Sequence, residues 1–379
     1  MNYKKVISMI VVFGVLLAGC QSGQGGGTKS VEPTNAPTVI VVTNTPEAAA
    51  TSTAVDLPTA TPQVATTSAP VVTLPDYSSS AYVDDHSTPA GLVISYANAI
   101  NRHEYIRAYS YWSNPGKTFG TLDAFTTSYE TTDHVTVLLG EVSSEGAAGS
   151  VYSTIPVVLT ESLTDGSTKR MANCYVLRFL QPGNFGEPPF DPMFFDQYSP
   201  SVVDAGTSDA DALASACSTT DLTQGLNAEA PGFASVSDIS SSNYLDNRSG
   251  AVEVVSSLLN ALNRKEYVRA YSYWQDTKPV GSYDSYAAGF KDTDTVTAVF
   301  GTVNVDAGAG QYYYTVPLGM VVKTTINTTQ TFIGCYTLHL SNPGMQGTLP
   351  FQPLGITKGT FKQVTNGTDL SPLLASACK

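Results

Sequence analysis

The chain has 379 residues, a formal net charge of −13 and only 13% charged side chains. That length allows two to three domains. An acidic, lightly charged surface is a poor match for nucleic acid or anionic headgroups, so no nucleic-acid partner is expected.

Lys4 and Lys5 precede an apolar run from Val6 to Ala18, the pattern of an export signal and too short for a comfortable membrane span. Leu17-Ala18-Gly19-Cys20 resembles a bacterial lipobox. The resemblance implies a cleaved leader at 1–19 and acylation of Cys20. A lipid membrane is then the first expected partner, with the rest of the chain lipid-anchored in the cell envelope, facing outside the cytoplasm. Residues 20–86 read as a disordered tether: 28–75 alone hold twelve Thr and seven Pro, a composition that cannot bury a core.

The rest of the chain says nearly the same thing twice. Asn101–Trp112 reads NRHEYIRAYSYW and Asn263–Trp274 reads NRKEYVRAYSYW, ten identities in twelve positions. A period this long means tandem domains rather than a solenoid, here 87–217 and 248–379, joined by a Ser/Thr/Gly/Asn-rich linker at 218–247. With Cys20 assigned to lipid, four cysteines remain for an oxidising compartment. They allow three pairings. The equal 43-residue spacing favours Cys174–Cys217 and Cys335–Cys378, because two copies of one domain should solve the same problem alike. No C-x-x-C pair supports a zinc site, so neither metal nor cofactor is expected.

Each unit reads as two helices followed by strands. In the first, Leu92, Tyr96, Ala99 and Ile100 form one apolar stripe, and Tyr105, Ala108, Tyr109 and Trp112 form the next at i, i+3, i+4, i+7. Asn101 is expected to take a left-handed cap between them, and Pro115-Gly116 to end the second helix. Strands are expected near 134–142, 150–161 and 172–181. In the last, Tyr175, Leu177 and Phe179 should face the core, and Cys174 should face outward, where the terminal Ala-Ser-Ala-Cys segment can be stapled. Residues 182–205 read as a Pro-rich loop, which leaves closure of that sheet edge open.

Two helices on a curved antiparallel sheet, with Tyr-x-x-Ala-Tyr-x-x-Trp on the second helix, resemble the NTF2-like cone fold of the SnoaL/ketosteroid-isomerase superfamily. Thr-Asp at the first strand (Thr132-Asp133, Thr293-Asp294), the proline strand (Pro156, Pro317) and the Cys-Tyr strand follow in the same order twice. The resemblance implies an α+β chain of two such domains behind the tether, like exported bacterial domains mostly of unassigned function.

It also nominates sites. A cone lined by Tyr105, Tyr109 and Trp112, and by Tyr267, Tyr271 and Trp274 in the second copy, would hold a ligand. The plainer reading is that these rings weld helix to sheet. Asp133 and Asp294 are the candidates for a proton-abstracting base, against the commoner role of Asp as a turn residue. No nucleophile elbow, phosphate loop or zinc-protease motif is present. The expected function is a non-enzymatic binding or interaction module for a small molecule, a glycan or an envelope protein. The alternatives are an isomerase- or hydratase-type enzyme and a purely structural spacer.

Overall fold

A computed structural model describes residues 81–217 and 238–379. The leader, Cys20, the tether up to residue 80 and linker residues 218–237 lie outside the described residues.

In the first repeat Thr88 opens α1 (Pro89–Asn101) by accepting the Gly91 N–H at 3.0 Å, and Pro89 stands in the first turn, where a missing N–H costs nothing. Before α2 (Tyr105–Ser110), it is His103 that takes the left-handed conformation, at φ 57°, and not Asn101. Asn101 stays helical because its amide has another task. It donates to the Val135 carbonyl at 3.0 Å and accepts the Val135 N–H at 2.7 Å, clamping the helix end to the first strand. Two short helices, α3 (Pro115–Phe119) and α4 (Leu122–Ser128), come next, so Pro115 begins a helix as well as following one.

The sheet is β1 (Thr132–Leu139), β2 (Ser143–Ala147), β3 (Ser150–Leu163), β4 (Thr168–Leu180) and β5 (Phe194–Val202). Its order is β1-β3-β4-β5, with β2 also on β3, and every pairing is antiparallel. β1 and β2 are two pieces of one edge strand broken at Gly140. Pro156 faces the break: it has no N–H to offer an edge neighbour, and its carbonyl accepts the Gly140 N–H at 2.7 Å. α5 (Asp209–Ala216) then crosses the outer face of β3 and β4.

The stretch read as a loop, 182–205, holds β5. Its outer edge is closed by the chain that leaves α2: Phe195 N–H bonds the Tyr111 carbonyl at 2.9 Å, and Ser113 N–H bonds the Phe195 carbonyl at 3.0 Å. That backbone bridge fixes Trp112 against the inner face of the sheet.

The second repeat follows the same plan with α6 (Ala251–Asn263), α7 (Tyr267–Ser272), α8 (Tyr283–Gly289), β6 (Thr293–Phe300), β7 (Asn304–Gly308), β8 (Gln311–Thr324), β9 (Thr329–Ser341) and β10 (Gly355–Val364). The Asn263 amide clamps Val296 at 2.9 and 2.7 Å, and Gln275 and Tyr273 bridge Ile356 as Ser113 and Tyr111 bridge Phe195. A 3₁₀ segment, Ser371–Ser376, replaces α5. The chain is thus α+β, with two five-stranded antiparallel sheets and few helices.

Cys174 is bonded to Cys217 and Cys335 to Cys378, with Cα–Cα separations of 4.9 and 5.1 Å. Tyr175 and Leu177 face the core as expected. Cys174, on the opposite face, is nevertheless 1% exposed, because the helix it staples lies over it.

The folded unit is larger than the sequence boundaries. Residues 81–86, read as the end of the tether, and 238–247, read as linker, are packed. Their polar composition gives no periodic signal, and buried side chains satisfy their backbone instead. Asn98 accepts the Val83 N–H at 3.0 Å and donates to the Ala81 carbonyl at 2.8 Å; Asn260 accepts the Leu245 N–H at 3.1 Å and donates to the Asn243 carbonyl at 3.0 Å.

These two segments also join the repeats. Asp85 and Asn247 form an antiparallel bridge. Around it, His86 N–H bonds the Asp246 carbonyl at 2.8 Å and Arg248 N–H bonds the Asp84 carbonyl at 2.7 Å. Asp84 N–H bonds Ser249 Oγ at 2.8 Å, and Asp246 N–H bonds Ser87 Oγ at 2.9 Å. Each contact recurs with the repeats exchanged, so the clasp has approximate twofold character.

Candidate functional site

The inner face of the first repeat carries a cleft of about 270 Å³. Its floor is aromatic. Trp112 stacks on Phe195 at 4.8 Å between ring centroids, and meets Phe119 at 4.8 Å, Tyr198 at 5.3 Å and Tyr175 at 6.1 Å edge to face. Such contacts hold the indole still and bury most of it, yet its Nε1 finds no hydrogen-bond partner. A buried N–H without a partner carries a desolvation cost.

The upper wall is polar. Tyr96 and Tyr129 join hydroxyls at 2.8 Å. Burial above all, and then the proximity of Tyr129, pushes the Tyr96 phenol well above its ordinary value. Tyr175 is raised for the same first reason, then by Tyr129, Tyr198 and Glu161. These phenols therefore stay neutral, each with a proton to donate and lone pairs to accept. Glu161, on β3, accepts from Thr132 Oγ1 at 3.4 Å and faces the Lys169 ammonium at 3.7 Å. Asn173, on β4, is 4% exposed, and its amide reaches the Met171 carbonyl at 3.3 Å.

The second repeat keeps Trp274 and Tyr336 at the places of Trp112 and Tyr175 but has Ile356, Val280 and Gly359 for Phe195, Phe119 and Tyr198, and its wall differs as well. The register places Leu258 where the first repeat has Tyr96, Phe290 for Tyr129, Val322 for Glu161 and Gly334 for Asn173. Opposite Asn173 stands Pro200; opposite Gly334 stands Phe361. A Cβ on Gly334 would collide with the Thr360 carbonyl and Phe361 Cα as well as the Phe361 ring, and one on Gly359, which pairs with Tyr336 as Tyr198 pairs with Tyr175, would come within 2.8 Å of the Tyr336 ring. The Tyr336 and Phe361 rings meet at 4.9 Å on the side of the sheet where polar groups line the first repeat. Trp274 Nε1 makes no hydrogen bond of normal geometry either, although the Tyr286 hydroxyl interacts with it; Phe125 offers Trp112 no such group.

Of the ring positions read as lining, Trp112 alone borders this cleft. Tyr109 and Tyr271 donate their hydroxyls to the carbonyls of Gly120 and Gly281 at 2.7 and 2.8 Å, which makes them ties between helices. Tyr105 stacks between His103 and Tyr129 and borders a separate open hollow. Tyr267 stacks on Phe290, and Trp274 packs against Tyr336. Asp133 and Asp294 are exposed, each the extra residue of a β-bulge, and Asp133 borders the outer hollow with Tyr105. Tyr96, Tyr129, Glu161 and Asn173 were missed. The signal that finds them is a polar residue in one copy facing an apolar one in the other.

A second buried polar cluster is fully committed to the fold. Glu104 accepts from Arg102 at 2.8 Å and Arg107 at 2.7 Å, while Arg107 also bonds Asn98 and Tyr111, both at 2.9 Å. Glu266, Arg264, Arg269, Asn260 and Tyr273 repeat it. Among the described residues no group of three or more His, Cys, Asp or Glu side chains is placed to hold a metal ion. Comparison of the chain with protein-family models, with curated proteins and with solved structures gave no match.

Proposed function

We propose that this chain is a lipid-anchored extracytoplasmic protein whose first repeat is a ligand-binding cone of NTF2-like type and whose second is a filled, scaffolding copy. One observation carries the reading: Tyr96, Tyr129, Glu161 and Asn173 surround an open cleft, while apolar Leu258, Phe290 and Val322 and the bare Gly334 stand at the matching positions of the second repeat. Burying phenols, an amide and a carboxylate costs stability, and the second copy carries the cheaper apolar solution on the same frame. A cleft that keeps the costly groups suits a ligand that bonds to them. Binding is preferred over isomerase- or hydratase-type catalysis because Asp133 and Asp294, the bases that reading requires, lie outside the cleft.

A thermal-shift screen of small polar and apolar molecules tests it. A ligand at a hundred times its Kd stabilises by about 2.7 kcal/mol. Hits should raise the Tm of the unaltered protein and leave Asn173→Phe, which fills the cleft, unmoved. Equal shifts in both would place binding elsewhere and contradict the proposal.

A further inference from the structure

We infer that the cleft of the first repeat takes an uncharged polyhydroxylated ring, that is, one neutral sugar residue; this rests on the binding role proposed above. Size sets the first limit. At about 270 Å³ the cleft falls just below the ~300–1,000 Å³ of sites that take drug-sized molecules, so it suits a single ring.

Charge sets the second. Glu161 and Lys169 face each other across 3.7 Å at the same wall. Paired in this way, the two charges largely cancel, so the wall draws neither a cation nor an anion while leaving acceptors and donors for neutral hydroxyls. The remaining polar groups are neutral and two-sided. The Tyr96 and Tyr129 hydroxyls spend one proton on each other and keep one to give. Asn173 contributes an amide with both a donor and an acceptor end.

The third limit is the floor. Trp112 lies under half-buried Phe119 and Tyr198, an apolar platform beside a polar wall. A purely apolar ligand would leave the spare phenol proton and the free acceptor end of the Asn173 amide without partners. A sugar ring has one face of C–H groups for the aromatic floor and a rim of hydroxyls for the wall. It is the ligand class whose own two-sidedness matches the cleft.

The protein has two tryptophans, Trp112 and Trp274, so a Trp274→Phe variant of the full chain reads the cleft through Trp112 emission. Calorimetry on the unaltered chain keeps the test independent of that variant's folding. Both are titrated with methyl glucoside, methyl galactoside, N-acetylglucosamine and their short oligosaccharides, and in parallel with choline, inorganic phosphate and an alkyl alcohol. Saturable binding of at least one neutral sugar, weakened roughly five- to tenfold by Tyr129→Phe or Asn173→Gly, is expected. Binding of oligosaccharides and not of methyl glycosides would place the source at a glycan end. Response to choline, phosphate or the alcohol and to no sugar would keep the cleft as a binding site and overturn the sugar assignment. Silence to every probe would overturn the binding role as well.

Discussion

Arg248 of the second repeat donates its backbone N–H to the carbonyl of Asp84 in the first at 2.7 Å, and its guanidinium contributes to holding the buried Asp84 carboxylate ionised. The clasp between the repeats is therefore both a backbone ladder and a charge cluster. Burial alone would raise the Asp84 carboxyl, but the hydrogen bond and charge of His86, with the charges of Arg107 and Arg248, hold it well below the usual carboxylate range.

That arrangement predicts a pH dependence. His86 Nε2 meets Asp84 Oδ1 at 3.2 Å and its Nδ1 meets the Met193 carbonyl at 2.8 Å, with the Tyr111 ring and the Asp246 charge beside it. Burial works against its protonation, yet Asp84 outweighs this and the imidazole is raised above its ordinary value. A raised histidine stabilises the fold fully below its unfolded pKa of about 6.5, and that stabilisation is lost as pH climbs through the folded value. Tm should fall as pH rises from about 6.5, and His86→Gln should flatten that slope. An unchanged slope in the variant would remove His86 from the account.

Each Arg-Glu pair behind the second helix is buried outright, Arg107 and Arg269 being 0% exposed. Removing one partner strands the other. Arg107→Met should cost about 3–5 kcal/mol in chemical denaturation. Because the clasp joins the repeats, loss in the first repeat is expected to appear as one cooperative transition of the described unit rather than two.

The disulfides close loops of 43 residues in both repeats. Converting either pair to serine should cost about 4 kcal/mol by the chain-entropy relation, and the two costs should be nearly equal. Equilibrium denaturation of the paired variants checks both statements.

The second repeat should resist being opened. Gly334→Asn drives a side chain into the Thr360 carbonyl and the Phe361 ring and should destabilise by about 1–3 kcal/mol or more. Adding Phe361→Ala should not rescue it, because the Thr360 carbonyl and Phe361 Cα, which that change leaves in place, are among the atoms struck.

Much of the fold was legible because it repeats and because its signals are local. The second helix, the equal cysteine spacing and the alternation of Tyr175 and Leu177 each follow from residue order alone, although that helix stops at Ser110 and Trp112 lies beyond it, bridged to Phe195. β5 was not legible. It is an edge strand whose residues beyond Phe195 are mostly exposed, so alternation is weak, and the backbone bridge to Tyr111 and Ser113 is invisible in sequence. The five- and seven-residue helices α3 and α4 are too short to show a period. The site was hidden for a further reason: Tyr96, Tyr129, Glu161 and Asn173 come from four separate stretches of chain, brought together only by the register of β3 on β4 and the packing of α1 and α4 over the sheet.

The anchor is tested by fractionation. Under the proposed export and acylation, Cys20→Ser should shift the protein from membranes to the soluble fraction, and continued membrane partition would argue against acylation there.

The central claim is that two copies of one frame have diverged into an open, ligand-taking cleft and a filled one. The most direct measurement compares two single-tryptophan proteins, Trp274→Phe and Trp112→Phe, titrated with the same neutral sugar. The account predicts a saturable change in Trp112 emission and none in Trp274. Equal responses from both, or a response from Trp274 alone, would contradict it.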